Sequence, residues 1–309
     1  MIDKFLEYIR IERRYSEYTL KAYEQDLSEF CSFLHVAPES FDASLATQDD
    51  VRLWMVEMLD NGLTPRTVKR KLSALRSYYK YLLRIGLAEK DITRAVIAPK
   101  MEKPLPVFFK DSDMKKVEET MRYADDFESI RDNLVIEMLY QTGMRRAEIL
   151  RLRDCDLDLH QCQVRIFGKR RKERIVPFGE NLKLMISEYL SLRNEKFGLL
   201  QNADHPFFLN NKGLPFSHNN IYTLVTTRMG EVSKQKRSPH VLRHTFATTM
   251  LNNGADINTI KTLMGHASLS ATQVYTHTTF QQINEAYKKA HPRAINGKNS
   301  LKNRVYDKK

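Results

Sequence analysis

Cysteine is scarce in this 309-residue chain, and its three residues, Cys31, Cys155 and Cys162, show no metal-ligand spacing. They read as free thiols in a reducing compartment. No apolar run is long enough to cross a bilayer. The start, Met1-Ile2-Asp3-Lys4, runs into an amphipathic pattern without the features of a signal peptide. A cytoplasmic protein with no membrane partner is the expectation. Low-complexity tracts are also missing, and 42% of the residues are hydrophobic. That content and length suit about two domains with real cores.

Acidic charge is short in one part of the chain only. Residues 1–100 carry 16 basic and 15 acidic side chains, whereas residues 101–309 carry 34 and 23. A basic C-terminal portion points to a polyanion, most simply nucleic acid. The plain alternative is a Lys-rich solvated surface.

Residues 1–86 read as all-helical. Ser16 is placed to cap a helix carrying Leu20, Tyr23, Leu27, Phe30 and Leu34. Asp49 or Asp50 opens another around Val51, Trp54, Met55 and Met58. Thr64-Pro65 is a strong helix start and Gly86 a stop. Within that last helix Val68, Leu72, Leu75, Tyr79 and Leu82 form an apolar stripe. Arg66, Lys69, Arg70, Arg76, Lys80 and Arg84 gather on the opposite side with Ser73 and Ser77, and no acidic residue interrupts them. A solvated face usually mixes signs, so a one-sign face favours a phosphate backbone.

Periodicity fades over 87–107, where Pro99, Pro104 and Pro106 cluster with Lys100 and Lys103 into a linker. The second domain, 108–291, is predicted to be helical with a short hairpin. Helices are expected from Asp111 or Ser112, over Ile130–Tyr140, from near Arg145 to near Leu152, and at about 180–194, 217–232, 239–252, 256–264 and 279–289. Gln163–Phe167 and Glu173–Phe178 alternate as strands around Gly168-Lys169-Arg170-Arg171-Lys172. Residues 292–309 form a polar tail with six basic side chains and one acidic.

Chemistry concentrates in the second domain. Ser238-Pro239-His240-Val241-Leu242-Arg243-His244 starts a helix on which His240 and Arg243 share a face. Gly265-His266 and Tyr275 follow, and Thr142-Gly143-Met144-Arg145 and Gly168-Lys169 precede. Each is ordinary alone: His266 reads as a capping histidine, Tyr275 as one of fourteen tyrosines, and Glu148 as an orienting partner of Arg145 or a surface decoration. Zinc at His240 and His244 lacks both a metalloprotease glutamate and a third ligand, so no metal or cofactor is expected. As a set they suit attack on a phosphodiester by tyrosine. A tyrosine keeps the phosphate as an ester, so the strand is rejoined without ATP. Guanidinium groups answer the charge that gathers on the non-bridging oxygens. A lysine at a turn supplies the proton for the leaving oxygen.

These motifs, in this order, resemble the tyrosine recombinase (phage integrase) family. Arg145 to Lys169 is 24 residues, Arg243 to His266 is 23, and His266 to Tyr275 is 9. The resemblance spans the second domain, and the basic helical first domain is similar to that family's core-binding domain. The short layout is most like the Xer branch. The resemblance implies a mainly α, two-domain DNA clamp: a helical, SAM-like core-binding domain and an α-rich catalytic domain with a small antiparallel β-sheet. It implies that Arg145 and Arg243 bind the scissile phosphate, His240 assists the tyrosine proton, His266 hydrogen-bonds the phosphate, Lys169 protonates the leaving 5′ oxygen and Tyr275 attacks. It also implies double-stranded DNA as partner, a homo-tetramer or a hetero-tetramer with a paralogous recombinase on two recombination sites, a Holliday junction, and no small-molecule substrate. Xer-like resolution of chromosome or plasmid dimers is expected, with phage or mobile-element integration or DNA inversion as the alternative.

Two features depart from the family pattern. The family turn is Gly-Lys-Gly-x-Lys, and this chain lacks the second glycine, which leaves Lys172 a rival to Lys169 as general acid. The basic tail is longer than a minimal Xer protein needs. A terminal stripe of Phe280, Ile283, Ala286, Tyr287 and Ala290 either docks into a neighbouring protomer, as the resemblance implies, or packs on its own domain. The same residue set also fits a relaxing enzyme like the type IB topoisomerases. The alternative of another class is a non-catalytic DNA-binding protein on the same scaffold.

Overall fold

A computed structural model describes residues 1–43, 46–101, 107–121, 126–168, 173–200, 204–235, 237–265 and 277–294. Lys169, Lys172, His266 and Tyr275 lie outside the described residues, as do 102–106 of the expected linker and the tail from 295. The chain divides into two compact units, Met1–Leu105 and Pro106–Lys309.

The first unit is helical: α1 (Ile2–Ile11), α2 (Glu17–Phe33), α3 (Gln48–Asp60) and α4 (Pro65–Arg84). Ser16 caps α2 by accepting from the Thr19 N–H, and Thr64 caps α4 with Pro65 at the first helical position. The α3 cap is Thr47, rather than Asp49 or Asp50. Asp50 is the third helical residue, and its carboxylate accepts from the Thr47 N–H while Thr47 Oγ1 accepts from the Asp50 N–H, a reciprocal capping box. Phe5, Phe30, Trp54, Leu72 and Tyr79 meet in one core. Val96 is buried there too, with Ala88 and Ile92 packed against it, so chain past Gly86 belongs to this unit's core.

The second unit contains α5 (Asp111–Met121), α6 (Phe127–Thr142), α7 (Arg146–Ile149), α8 (Glu180–Phe197), α9 (His218–Arg228), α10 (Pro239–Asn252), α11 (Ile257–Met264) and α12 (His277–Ala290), with a small sheet against α11 and α12. Helix α6 is buried on nearly every face and packs against α8 and α10. The expected hairpin is the larger part of a three-stranded antiparallel sheet, β1 (Leu157–Asp158), β2 (Gln163–Phe167) and β3 (Glu173–Pro177), in that order. In β2 and β3 Val164 opposes Val176 and Ile166 opposes Arg174, all four buried.

Two expectations change, and the terminal stripe, left open between two readings, is seen packed within this chain. The helix expected from Arg145 to Leu152 is a single turn, because the chain swings out to pair Leu152 O with the Phe207 N–H and to bridge Arg153 to Pro206. Helix α12 buries Ile283, Tyr287 and Ala290 in its own unit, against α10, α11 and β3. The tail's start is packed: Arg293 is buried, paired with Glu118 and with Glu137 at 3.3 Å, while His291, the last residue before the tail, stacks on Tyr287. Two acids distant in sequence, Glu137 buried and Glu118 partly exposed, make that arginine's burial tolerable.

Candidate active site

Two helix ends build the site. Helix α6 stops at Gly143 and α11 stops at Gly265, both in the left-handed region with φ of 60° and 62°. At Gly143 a Cβ would also sit 2.5 Å from the Phe246 ring, so only glycine fits. A helix C-terminus presents carbonyl oxygens that lack intrahelical donors and carry partial negative charge. Those oxygens receive the arginines. Arg243, on α10, donates to Gly143 O and Met264 O at 2.5 Å each. Arg145, which precedes α7, donates to Gly265 O at 3.2 Å.

One carboxylate stands at the centre. Glu148 accepts from Arg145 Nη1 and from the Arg145 backbone N–H, both at 2.7 Å. It therefore orients Arg145, the more specific of its two readings from sequence. Arg174, on β3, grips the same carboxylate with both η-nitrogens at 3.0 and 2.8 Å and donates Nε to Leu263 O at 2.6 Å. Glu148 also lies 3.9 Å from Arg243. Burial pushes the Glu148 carboxyl up, but the hydrogen bonds and charge of Arg174, then those of Arg145, outweigh it and hold it at about 2. Burial, then the charges of Arg145 and Arg174, push Arg243 down to about 9, against the pull of Glu148. Arg243 remains a cation at neutral pH.

Three guanidinium groups thus share one carboxylate, with Arg243 only 4% exposed and Arg145 half-exposed. Buried charge left unbalanced is expensive, and the expense falls when an anion arrives. His240, exposed, is one turn before Arg243 on α10, while His244 is half-buried with its ring edge-on to Phe108. Reasoning from sequence gave Arg174 no role. Its signal was available: it occupies a core-facing position in an alternating strand, where a charge needs a buried partner.

In the first unit the basic side of α4 is one-sign only within its own helix. Arg70 pairs with Asp26 of α2, Arg84 with Glu12 and the Tyr8 hydroxyl, and Arg76 donates to Val96 O at 2.7 Å. The acids come from other helices, which a reading of α4 alone missed. Arg66, Lys69 and Lys80 are exposed and make no ion pair among the described residues. A cleft of about 440 Å³ beside this face is lined by Arg13, Arg76, Lys80 and Arg84 with Tyr8, Tyr15 and Tyr23.

Comparison with known proteins decides the family. The profile described as "Phage integrase family" matches residues 110–282, and "Phage integrase, N-terminal SAM-like domain" matches 2–86. The chain belongs to the phage integrase family. It is 38% identical over 303 residues to the tyrosine recombinase XerC of Bacillus licheniformis, covering 95% of this chain and 97% of that one. It is 40% identical to the XerC of Oceanobacillus iheyensis, covering 96% and 97%. This family member is thus a tyrosine recombinase, similar to the Xer enzymes. Its fold matches the Tn1549 transposon integrase in complex with transposon right end DNA, at TM-score 0.69 and 16% identity over 92% of this chain and 98% of that one. It also matches XerH bound to its difH substrate, at TM-score 0.64 and 19% identity over 94% and 82%.

Proposed function

We propose that this enzyme binds duplex DNA at a specific site and exchanges strands through a 3′-phosphotyrosyl intermediate and a Holliday junction. The observation that carries the reading is the surplus of guanidinium charge at Glu148. Arg145 and Arg243 are held by neutral carbonyls and a shared acid, so their hydrogen bonds are aimed before any phosphate binds. A pentacoordinate phosphate concentrates negative charge on its non-bridging oxygens, and donors already in place stabilise it without reorganising. Tyr275 is the nucleophile. A tyrosine's ordinary pKa of about 10 leaves little phenolate at neutral pH, so His240 assists removal of its proton. His266 hydrogen-bonds the phosphate. Lys169, with Lys172 as rival, protonates the departing 5′ oxygen.

The partner is double-stranded DNA, bound by the exposed cations of α4 as well as at the active site. Four protomers act on two sites, in the cytoplasm, and the similarity to XerC enzymes favours resolution of chromosome or plasmid dimers. A nicked suicide duplex tests the reading. The wild-type protein forms a covalent adduct on a denaturing gel and Tyr275→Phe forms none while still binding DNA. An adduct that survives in Tyr275→Phe assigns the attack to another residue. Relaxation of supercoils by a monomer without site preference replaces recombination with a topoisomerase-like activity.

A further inference from the structure

Arg70 differs from the other cations on the exposed side of α4. Its Nη1 and Nη2 both donate to the Asp26 carboxylate of α2, the second at 2.8 Å. Asp26 is 1% exposed and also accepts from Lys71 Nζ at 3.1 Å, and Lys71 in turn pairs with Glu29. The Arg70 side chain is nonetheless 46% exposed. A buried carboxylate, locked by the buried Lys71, thus grips the η end of a guanidinium on a half-exposed side chain.

That arrangement suits one task better than another. A cation that binds backbone phosphate acts through its net charge and the counterions it displaces. Asp26 cancels much of that charge, so Arg70 is a poor phosphate binder. A side chain that reads a base edge needs direction instead. End-on pairing to Asp26 leaves Nε–H and an adjacent η N–H as a fork in a fixed plane. A fixed guanidinium fork is the commonest specific contact in the major groove, matching the O6 and N7 acceptors of guanine. The neighbours divide the labour. Arg66, Lys69 and Lys80 lie on the same side of α4, exposed and without ion pairs among the described residues, which suits contacts that position rather than specify.

We propose that Arg70, held by Asp26, is a specificity-determining residue that reads a guanine in the recombination site. The inference rests on the recombinase reading above and goes beyond it by assigning sequence readout to one side chain.

The test is selection of a randomised duplex library by the full-length protein, followed by sequencing. The wild type is expected to enrich a motif with one guanine position that Arg70→Lys flattens by roughly ten- to hundredfold, leaving the other positions intact. Asp26→Asn flattens the same position while its affinity for non-specific duplex holds or rises, since an acid has been removed. Lys69→Gln weakens all sequences alike. Thermal melts establish that each variant is folded, and Arg70→Lys carries the test alone if Asp26→Asn is not. An unchanged motif in Arg70→Lys overturns the proposal, and so does a uniform loss like that of Lys69→Gln. A wild-type protein that enriches no sequence overturns the site-specific recombinase reading itself, a result no Arg70 variant mimics.

Discussion

Two buried arginines in the second unit are held in opposite ways. Arg193 on α8 is fully buried, and its fork meets both oxygens of Asp154 at 2.8 and 2.6 Å. Carbonyls of Pro206 and Phe207 and the Asn194 side chain take its remaining donors. Arg243 is nearly as deep, yet it donates to two main-chain carbonyls, and Glu148, 3.9 Å away, is already taken by Arg174 and Arg145. One cation per acid is an architectural pair. A cation that shares its acid with two others is kept ready for a charge that comes from outside. Burial alone therefore does not separate an arginine paired within the fold from one proposed to meet the phosphate, whereas the local balance of charge does.

The largest expected effect breaks that comparison if it fails. Arg243→Lys keeps a positive charge but loses the fork. Covalent capture should fall about a hundred- to a thousandfold, the scale of losing one transition-state donor. Its stability loss should be modest, about 1–2 kcal/mol, because the partners left behind are neutral carbonyls. Arg193→Met should do the reverse, costing about 3 kcal/mol by leaving the partly buried Asp154 and the carbonyls of Pro206 and Phe207 without their donor. The fraction that remains folded should cleave normally. Urea denaturation and suicide-substrate trapping measure the two axes. Variants that lose both properties in the same proportion would erase the distinction.

A second expectation sharpens it through pH. The Glu148 carboxyl is depressed to about 2 in the folded protein, from an ordinary value of 4.5. Its ionised form is thus favoured by folding, and this stabilisation is present above the ordinary value. It is lost as pH falls from about 5 through 2, on the order of 3 kcal/mol in all. Glu148→Gln removes the titrating group. Its denaturation midpoint should therefore drift less than the wild type's across that window. Parallel drift in both proteins would place the acid sensitivity elsewhere.

Local chemistry was legible in the sequence and long-range pairing was not. Ser16, Thr64-Pro65 and Ser238-Pro239 start helices where expected, because a cap acts within three residues of itself. Alternation located β2 and β3, but a two-residue β1 has no period to detect. The motifs and their order brought Arg145 and Arg243 forward, with Glu148 left between an orienting partner and a surface decoration. They did not single out Arg174, Arg193 or Arg293, because their partners are 26, 39 and 156 residues away. Which acid meets which arginine depends on how helices pack, and no window of sequence contains that. The same limit hid Asp26 from a reading of α4, whose lack of acids holds for the helix and fails for the face.

The smallest effect concerns the first unit, where surface cations replace buried ones. Arg66, Lys69 and Lys80 are exposed, so the pull on DNA proposed for them is screened by salt within about 10 Å at ~0.1 M. Changing all three to Gln should weaken binding to any duplex and lower the salt dependence by about 0.9 of slope for each phosphate that no longer meets a cation. At low salt and saturating DNA the rate of covalent capture should stay within about twofold of wild type, since the residues proposed to act on the phosphate all belong to the second unit. That separates them from Arg243, whose loss no excess of DNA repairs. A triple variant with unchanged affinity and slope would return this face to ordinary solvated surface. One whose capture rate collapses at saturation would instead mean that α4 takes part in assembling the active site, and the division between exposed cations that hold DNA and buried cations that act on it would fall.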